Sequence, residues 1–177
     1  MTAKRLLKQL LNVKDAYVDD YDLTLDKDGR LALTVRVHPS KKDQWRCPVC
    51  GRKCPVYDCV NVESAWRGMD FGSVTVRIVA RVPRIECKKH GVLTAMVPWA
   101  QSGSRFTRDF ISLTAWLVKG GLSKKCVSEL LRIDWKTVGR LVKLTSTPHG
   151  VDGVGYVLQA LDLDIVDPSR TSLDLGA

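Results

Sequence analysis

The sequence predicts an α+β fold in which a β-rich module with clustered cysteines precedes a module of three helices. Apolar and polar residues alternate over residues 17–25, 31–38 and 74–81, and this is the period of half-buried strands. Five of the six cysteines lie in the β-rich stretch 47–98. From residue 105 to residue 145 the apolar period changes to about 3.6, which indicates helices.

The N-terminal part predicts a short helix and a β-hairpin. Residues 4–11 (KRLLKQLL) place Leu6, Leu7, Leu10 and Leu11 on one helical face. Between the strands at 17–25 and 31–38, Gly29 suits the positive φ of a tight turn. We expect one face of this hairpin to be buried through Leu23, Leu25, Leu31, Leu33, Val35 and Val37.

The charge of the chain is high and unevenly distributed. The 177 residues carry a formal net charge of +9, with a pI of about 9.4. Residues 1–145 carry +13, whereas the residues after Ser146 carry −4. This balance indicates a polyanionic partner, or else a solvated basic surface that serves solubility.

The sequence contains neither a signal peptide nor an apolar segment approaching the roughly 18 residues of a membrane helix. We therefore expect a cytoplasmic, nucleoid-associated protein with no membrane partner. In that compartment the cysteines are better suited to metal ligation or burial than to disulfides.

Two short motifs have the spacing of a metal site. Cys47-Pro48-Val49-Cys50-Gly51 is a knuckle that can close two thiolates around one tetrahedral ion. Cys87-Lys88-Lys89-His90-Gly91 repeats that spacing 36 residues later, a longer gap than the about 15–20 residues of common ribbons. Three thiolates and one imidazole, from Cys47, Cys50, Cys87 and His90, suit structural Zn²⁺ with no position left for catalysis.

Other interpretations of these cysteines are less favoured. A redox dithiol at Cys47 and Cys50 requires a helix after the motif, and the sequence there does not start one. A zinc deaminase requires an upstream H-x-E, which the sequence around His38 lacks. Simple burial of all four residues remains an alternative. Cys54 and Cys59 are nearby competitors as ligands, but they have no partner at knuckle spacing and are predicted to be buried or semi-exposed thiols.

The helical region predicts three helices. The first carries Phe106, Phe110, Leu113, Leu117 and Val118 on one face and ends at Gly120-Gly121. Ser123 is positioned to cap a second helix that ends near Leu131, and Asp134 to cap a third that ends near Leu144.

The last two predicted helices fit a helix-turn-helix. Its inward positions would be Val127, Leu130, Leu131, Ile133, Val138, Leu141 and Val142. The N-terminal end of the last helix would enter the major groove, while cations on the helix before it would contact phosphates. The predicted DNA-binding residues are Lys124, Lys125, Trp135, Lys136, Thr137, Arg140 and Lys143, with Arg132 as a further phosphate contact. A three-helix bundle with a solvated basic face is the alternative, and Trp135 is more often a packing residue at such a position.

Six motifs, in this order, resemble the N-terminal part of bacterial insertion-sequence transposases of the ISL-three (ISL3) family. They are CPVCG, WRGMDFG, PRIECKKHGV, VPWA, RFTRDF and SELLRIDWKTV, between residues 47 and 142. The resemblance implies a zinc finger and a helix-turn-helix that recognise terminal inverted repeats. It also implies zinc ligation by Cys47, Cys50, Cys87 and His90, and a following RNase H-like domain with three carboxylates and two divalent ions.

The resemblance weakens after the helix-turn-helix. The family's G-x-D-E motif corresponds to residues 160–165, where Asp164 aligns with the first catalytic Asp but Gly and Glu are missing. We therefore expect a truncated, catalytically inactive chain, and we assign no catalytic residue. The predicted domains are 1–44 (helix and hairpin), 45–98 (zinc-ribbon-like module), 104–145 (helix-turn-helix three-helix module) and 146–177 (start of a catalytic domain, including a strand at 157–166, or an unstructured tail).

Three functions are compatible with these features. The first is recognition of an element's inverted repeats as the DNA-binding portion of a transposase. The second is a zinc-dependent transcriptional or transposition regulator that binds DNA, and the third is a protein-interaction module. The expected partner is double-stranded DNA, with no small-molecule substrate. Because one reading helix is small, we also expect a homodimer or a second DNA-binding module.

Overall fold

The computed structural model describes residues 2–13, 15–59 and 62–145, and it has an α+β fold. The chain forms two compact units whose boundary lies between Ile111 and Ser112. In chain order the elements are α1 (Ala3–Leu10), β1 (Ala16–Leu25), β2 (Leu31–Pro39), β3 (Val56–Asp58), β4 (Glu63–Arg67), β5 (Thr75–Arg81), β6 (Arg84–Cys87), β7 (Gly91–Thr94), α2 (Arg108–Lys119), α3 (Lys124–Leu131) and α4 (Trp135–Thr145).

The first unit contains a four-stranded sheet in the order β1-β2-β5-β4. The predicted hairpin forms the β1–β2 pair, and its turn is closed by the Asp26 N–H, which donates to the Arg30 carbonyl at 2.7 Å. Strand β2 pairs with β5 in parallel, and β5 pairs with β4 in an antiparallel register. The long connection from β2 to β5 therefore contains the first cysteine knuckle.

A second sheet in this unit has the order β3-β6-β7 and is antiparallel throughout. Pro83 separates β5 from β6, because proline supplies no N–H to a strand ladder. The hairpin from β6 to β7 holds Cys87 at its tip, opposite Gly91. This hairpin positions the second knuckle.

The core of the first unit is formed by alternate residues of the sheets and by the segment that follows β7. Val35, Val76 and Ile85 are fully buried, and Trp66 meets Trp99 edge-to-face with ring centroids 5.5 Å apart. Cys47 and Cys87 belong to the same buried cluster. The two cysteine knuckles therefore rest directly on the hydrophobic core.

A partly buried ion pair forms at the end of β4, and its arginine also contacts the entry of α2. The Arg67 guanidinium contacts both carboxylate oxygens of Asp70, with the second bond at 2.8 Å, and it also lies 5.6 Å from the Phe110 ring centroid. The Arg67 backbone accepts from Thr107 N–H at 3.0 Å and donates to the Arg105 carbonyl at 2.8 Å. This arrangement gives the WRGMDFG motif a structural role.

The prediction that the hairpin buries one whole face was wrong at its outer end. Leu33, Val35 and Val37 are buried, but Leu23, Leu25 and Leu31 are exposed. Strand β1 lies at the sheet edge, and the core does not extend under it beyond the irregularity between Val18 and Asp20. On α1, likewise, Leu7 and Leu11 pack on the core, whereas Leu6 and Leu10 are exposed.

The second unit contains most of α2 together with α3 and α4. Ser123 Oγ accepts from Cys126 N–H at 3.2 Å, and Asp134 Oδ1 accepts from Lys136 N–H at 2.8 Å, so both predicted caps are present. Arg132, with φ of 55°, ends α3 in the left-handed region. The buried residues on the facing helices are Val127, Leu131, Val138 and Leu141.

Two predictions for the helices were wrong in detail. Phe106 precedes α2, which begins at Arg108, and it stacks on Phe110 with ring centroids 5.2 Å apart. Leu130, predicted to face inward, is exposed, because the four-residue spacing from Val127 to Leu131 already fills the buried face of this short helix.

The predicted strand at 157–166 and Asp164 lie outside the described residues. Within the described residues, no helix is long and apolar enough to cross a membrane.

Candidate metal centre and nucleic-acid interface

The first knuckle is a tight turn held by backbone hydrogen bonds. Gly51 N–H donates to the Cys47 carbonyl at 2.9 Å, and Cys47 N–H donates to the Arg52 carbonyl at 2.8 Å. Gly51 has φ of 67°, in the left-handed region that a side chain rarely adopts. The turn thus directs Cys47 and Cys50 to the same side.

The second knuckle is the turn between β6 and β7. His90 N–H donates to the Cys87 carbonyl at 3.2 Å, and Gly91 has φ of 71°. Cys87 is buried, whereas His90 is exposed. Because β6 pairs with β3 and β7, the fold brings this turn to the first knuckle across the 36-residue gap in the sequence.

The four predicted ligand atoms converge, all lying within 4.8 Å of one another. His90 Nδ1 is 3.5 Å from the Sγ atoms of both Cys47 and Cys87, and Cys50 Sγ is 3.8 Å from Cys87 Sγ. Tetrahedral Zn²⁺ with usual bond lengths separates two sulfurs by about 3.8 Å and a sulfur from a nitrogen by about 3.6 Å. The residues therefore fit Zn²⁺, with His90 offering Nδ1.

The surroundings of the cluster favour thiolates at Cys87 and Cys47, whereas at Cys50 a hydrogen bond from Arg52 N–H is outweighed by burial and the two neighbouring sulfurs, which raise the pKa of that thiol. Backbone N–H groups of Lys89 and His90, together with the His90 side chain, outweigh burial and lower the pKa of Cys87 to about 6. Burial raises the pKa of Cys47, but hydrogen bonds from the N–H groups of Cys50 and Val49 outweigh it, so that the net shift is downward. Contact with the two sulfurs raises the pKa of His90. Thiolate is the form that binds metal.

Cys54 and Cys59 are outside this four-residue group. Cys54 is half-buried beside the cluster and donates its S–H to the Arg52 carbonyl at 3.4 Å, and burial together with the neighbouring Cys87 thiol raises its pKa. Cys59 is exposed. The contact of Cys54 with Cys87 had no signal in the sequence, because it depends on the turn that pairs Arg46 with Lys53.

A basic groove of about 340 Å³ lies on the second unit. Trp135 stands at its edge, 56% exposed, which corrects the interpretation of this residue as a packing side chain. Gly139 also lines the groove, and a Cβ at this position would lie 3.8 Å from Lys124 Nζ. The lining residues are Lys124, Trp135, Lys136, Gly139, Arg140 and Lys143.

Five of the seven predicted DNA-binding residues therefore line one groove. The other two are placed differently: Lys125 is exposed on α3 outside the groove, and Thr137 is half-buried on α4. Arg132 is exposed in the turn between the two helices. Gly139 was not selected from the sequence, because a helical glycine carries no chemical signal of its own.

The clustered zinc-type ligands and the pair of helices with a cationic face define the class of protein, a DNA-binding portion with a metal-binding module. Comparison with known families gives two matches. Residues 43–90 match the zinc-finger of transposase IS204/IS1001/IS1096/IS1165, and residues 95–144 match the helix-turn-helix domain of transposase family ISL3. The chain belongs to the ISL3 transposase family, of which it contains the zinc-ribbon and helix-turn-helix part.

Individual relatives agree with this assignment. Over 140 residues the chain is 39% identical to the transposase for insertion sequence element IS1557 of Mycobacterium tuberculosis, in both strain CDC 1551 / Oshkosh and strain ATCC 25618 / H37Rv. The match covers 78% of this chain and 31% of the relatives, so the chain spans about a third of their length. No solved structure matches the chain.

Proposed function

We propose that this chain recognises the terminal inverted repeats of an insertion sequence as double-stranded DNA. The observation that carries the proposal is the groove along α4, where three cations and an exposed tryptophan stand on one helix face. A helix with this composition fits the major groove, where Arg and Lys bind guanine edges. The matches to transposase domains at residues 43–90 and 95–144 support it.

Within this proposal, residues 104–145 are the DNA-reading domain. Lys136 and Arg140, near the N-terminal half of α4, contact bases, with Thr137 and Trp135 beside them. Lys124, Lys125 and Lys143 contact phosphates and position the helix. Substitution of a base-contacting residue should therefore change sequence specificity, whereas substitution of a phosphate-contacting residue should change the overall affinity.

The proposed role of residues 45–98 is to hold one structural Zn²⁺ through Cys47, Cys50, Cys87 and His90. The separations between the ligand atoms support this assignment, and a bound Zn²⁺ would hold the two knuckles together. The knuckle also gathers cations: Arg46 donates to the Lys42 and Gly51 carbonyls, each at 3.0 Å, and Lys53 donates to the Lys41 carbonyl at 3.2 Å. Lys53 is exposed and suited to a further phosphate contact, whereas the Arg46 guanidinium is already engaged by these carbonyls and by Asp43 at 3.7 Å.

The test is binding of a fluorescent duplex, selected from a library with a randomised core, at several salt concentrations. Arg140→Ala should weaken binding by about 1–3 kcal/mol and relax the preference at one base pair. Lys143→Ala should weaken all sequences alike and reduce the salt slope by about 0.9. Lys119→Ala is the matched control, an exposed lysine outside the groove. Equal effects of all three variants, or affinity independent of salt, would contradict DNA reading by α4.

We also propose that the chain acts as a homodimer at the nucleoid, because one reading helix offers a small interface. Analytical sedimentation of the chain with the selected duplex tests the stoichiometry. We expect two chains to bind each duplex, at a site that contains two related half-sites. One chain bound tightly to a single half-site would remove the dimer from the proposal while leaving DNA recognition intact. The cleavage chemistry of full-length transposases is not assigned to the described residues.

A further inference from the structure

Strand β1 is an edge strand with an exposed apolar strip. Tyr21, Leu23 and Leu25 lie opposite Val35, Leu33 and Leu31 on β2, so their side chains are on the face of the sheet that forms the core. Leu23 is nevertheless 55% exposed, and Tyr21, Leu25 and Leu31 are also exposed. Four large apolar side chains thus continue the core face beyond the residues that cover it.

The backbone of the same segment is directed outward. Asp26 N–H bonds across to Arg30, and hydrogen-bonded and non-bonded pairs alternate along an antiparallel ladder. The N–H and C=O groups of Leu23 and Leu25 therefore point to the open edge rather than to β2. Tyr21 N–H points the same way and is occupied by Asp20 Oδ1 at 2.9 Å. The edge can accept another strand alongside residues 22–25.

The charge of this segment is opposite to that of the rest of the chain. Residues 15–28 contain six aspartates and one lysine, a net charge of −5, within a chain of net charge +9. Asp20 and Asp22 lie on the face of β1 opposite to Tyr21 and Leu23, because successive side chains alternate across a strand. Asp20 also pairs with Arg36 on β2 at 3.6 Å, with both side chains exposed. Asp26 and Asp28 extend the acidic surface into the turn.

We propose that the β1 edge binds an extended, basic polypeptide segment by strand addition. In an added strand that alternates lysine with an aliphatic residue, the aliphatic side chains would lie beside Leu23 and Leu25. The lysines would lie beside Asp20 and Asp22. Main-chain hydrogen bonds supply affinity in this mode of recognition, and the alternating side chains supply specificity. The proposal is independent of DNA binding by α4.

Charge argues against the other occupants of this edge. DNA is a polyanion and is repelled by the aspartates. A second copy paired through its own β1 would place the two acidic segments side by side, and like charges directly opposite each other destabilise a sheet. The residues after Ser146 carry a net charge of −4 and are unfavourable for the same reason.

The test uses synthetic peptides as probes and the full chain as the protein. A fluorescein-labelled heptapeptide of alternating lysine and valine is titrated with the chain, and its anisotropy is measured. A glutamate–valine peptide of the same length tests charge, and a lysine–valine peptide with N-methylated valines tests the backbone hydrogen bonds. The Leu23→Ser variant tests the apolar strip. Leu130→Ser is the matched control, since Leu130 is 58% exposed on the other unit.

We expect the lysine–valine peptide to bind and each of the two control peptides to bind at least about tenfold more weakly. Leu23→Ser should weaken binding of the first peptide about tenfold, and Leu130→Ser should leave it unchanged. Equal binding of the N-methylated peptide would overturn strand addition. Equal weakening by both variants, no binding of the first peptide, or a self-association of the chain that Leu23→Ser abolishes would overturn the proposal itself.

Discussion

At the scale of single residues, burial distinguishes two of the candidate metal ligands from the exposed thiols. Cys47 and Cys87 are part of the hydrophobic core, whereas Cys59 and Cys126 are exposed. Ligands that are set into a packed core have their orientation determined before metal binds. Metal affinity should therefore depend on individual core-facing cysteines and should be insensitive to exposed ones.

Cys87→Ser should reduce zinc affinity by more than the about 10–100-fold that changes beyond the ligands themselves usually cost. Serine keeps the size of the side chain but removes the thiolate that Lys89 and His90 N–H groups stabilise. Competition with a chromophoric chelator measures the affinity, and Cys59→Ser is the control. If both variants bound zinc as the parent chain does, Cys87 would not be a ligand.

The Arg67–Asp70 pair allows a second residue-scale prediction. Both side chains are 15% exposed, so Asp70→Asn leaves a guanidinium with little access to water. We expect a loss of about 3 kcal/mol in the free energy of unfolding. Urea denaturation measures it. Asp58→Asn at the exposed Arg84–Asp58 pair is the comparison, and there the loss should be much smaller because water screens the pair. Similar losses at both sites would argue against a special role for Arg67.

At the scale of elements, sequence periodicity and capping residues predicted the helices closely. Ser123 and Asp134 marked the starts of α3 and α4, and Gly29 marked the first hairpin. The partners of the strands were not predictable. The parallel pairing of β2 with β5, and the short strands β3 and β7, depend on contacts between distant segments. The convergence of the four candidate ligands was predictable, because two knuckles with the same spacing carry their own chemical signal.

Ser123→Ala should destabilise the second unit by about 1 kcal/mol, because it leaves Cys126 N–H without its acceptor at the start of α3. Thermal unfolding followed by circular dichroism measures the change. Ser123→Asp keeps an acceptor at the same position and should retain most of the stability. Equal destabilisation by both substitutions would mean that the hydroxyl contributes something other than capping.

The Gly139→Ala variant should change the stability of α4 and the affinity for DNA in opposite directions. A methyl group there meets Lys124 Nζ at an ordinary 3.8 Å, so the variant should be more stable by about 0.5–1 kcal/mol. The same methyl group would occupy space in the groove that Gly139 lines, and it should therefore weaken binding of the selected duplex. Glu129→Ala, on the exposed side of α3, is the control. Unchanged DNA affinity would place the duplex away from Gly139.

At the scale of the whole molecule, the division at Ile111 and Ser112 indicates that the effect of zinc should be confined to the first unit. A metal that binds only the folded state stabilises it by about 4 kcal/mol at 1,000 times its Kd. With a chelator, amide exchange should accelerate by a corresponding factor in residues 47–54 and 85–94. Protection in α3 and α4 should keep its value. Exchange that accelerates throughout both units would show that they unfold as one.

The contrast between a buried Cys47 and an exposed His90 has a kinetic consequence. Exchange of a bound ion begins where an incoming ligand can reach it, and in this site that point is the imidazole. His90 would therefore control how fast a bound Zn²⁺ dissociates. The three cysteines would determine the equilibrium affinity for the ion. A His90→Cys variant should give up its zinc to a chelator more slowly.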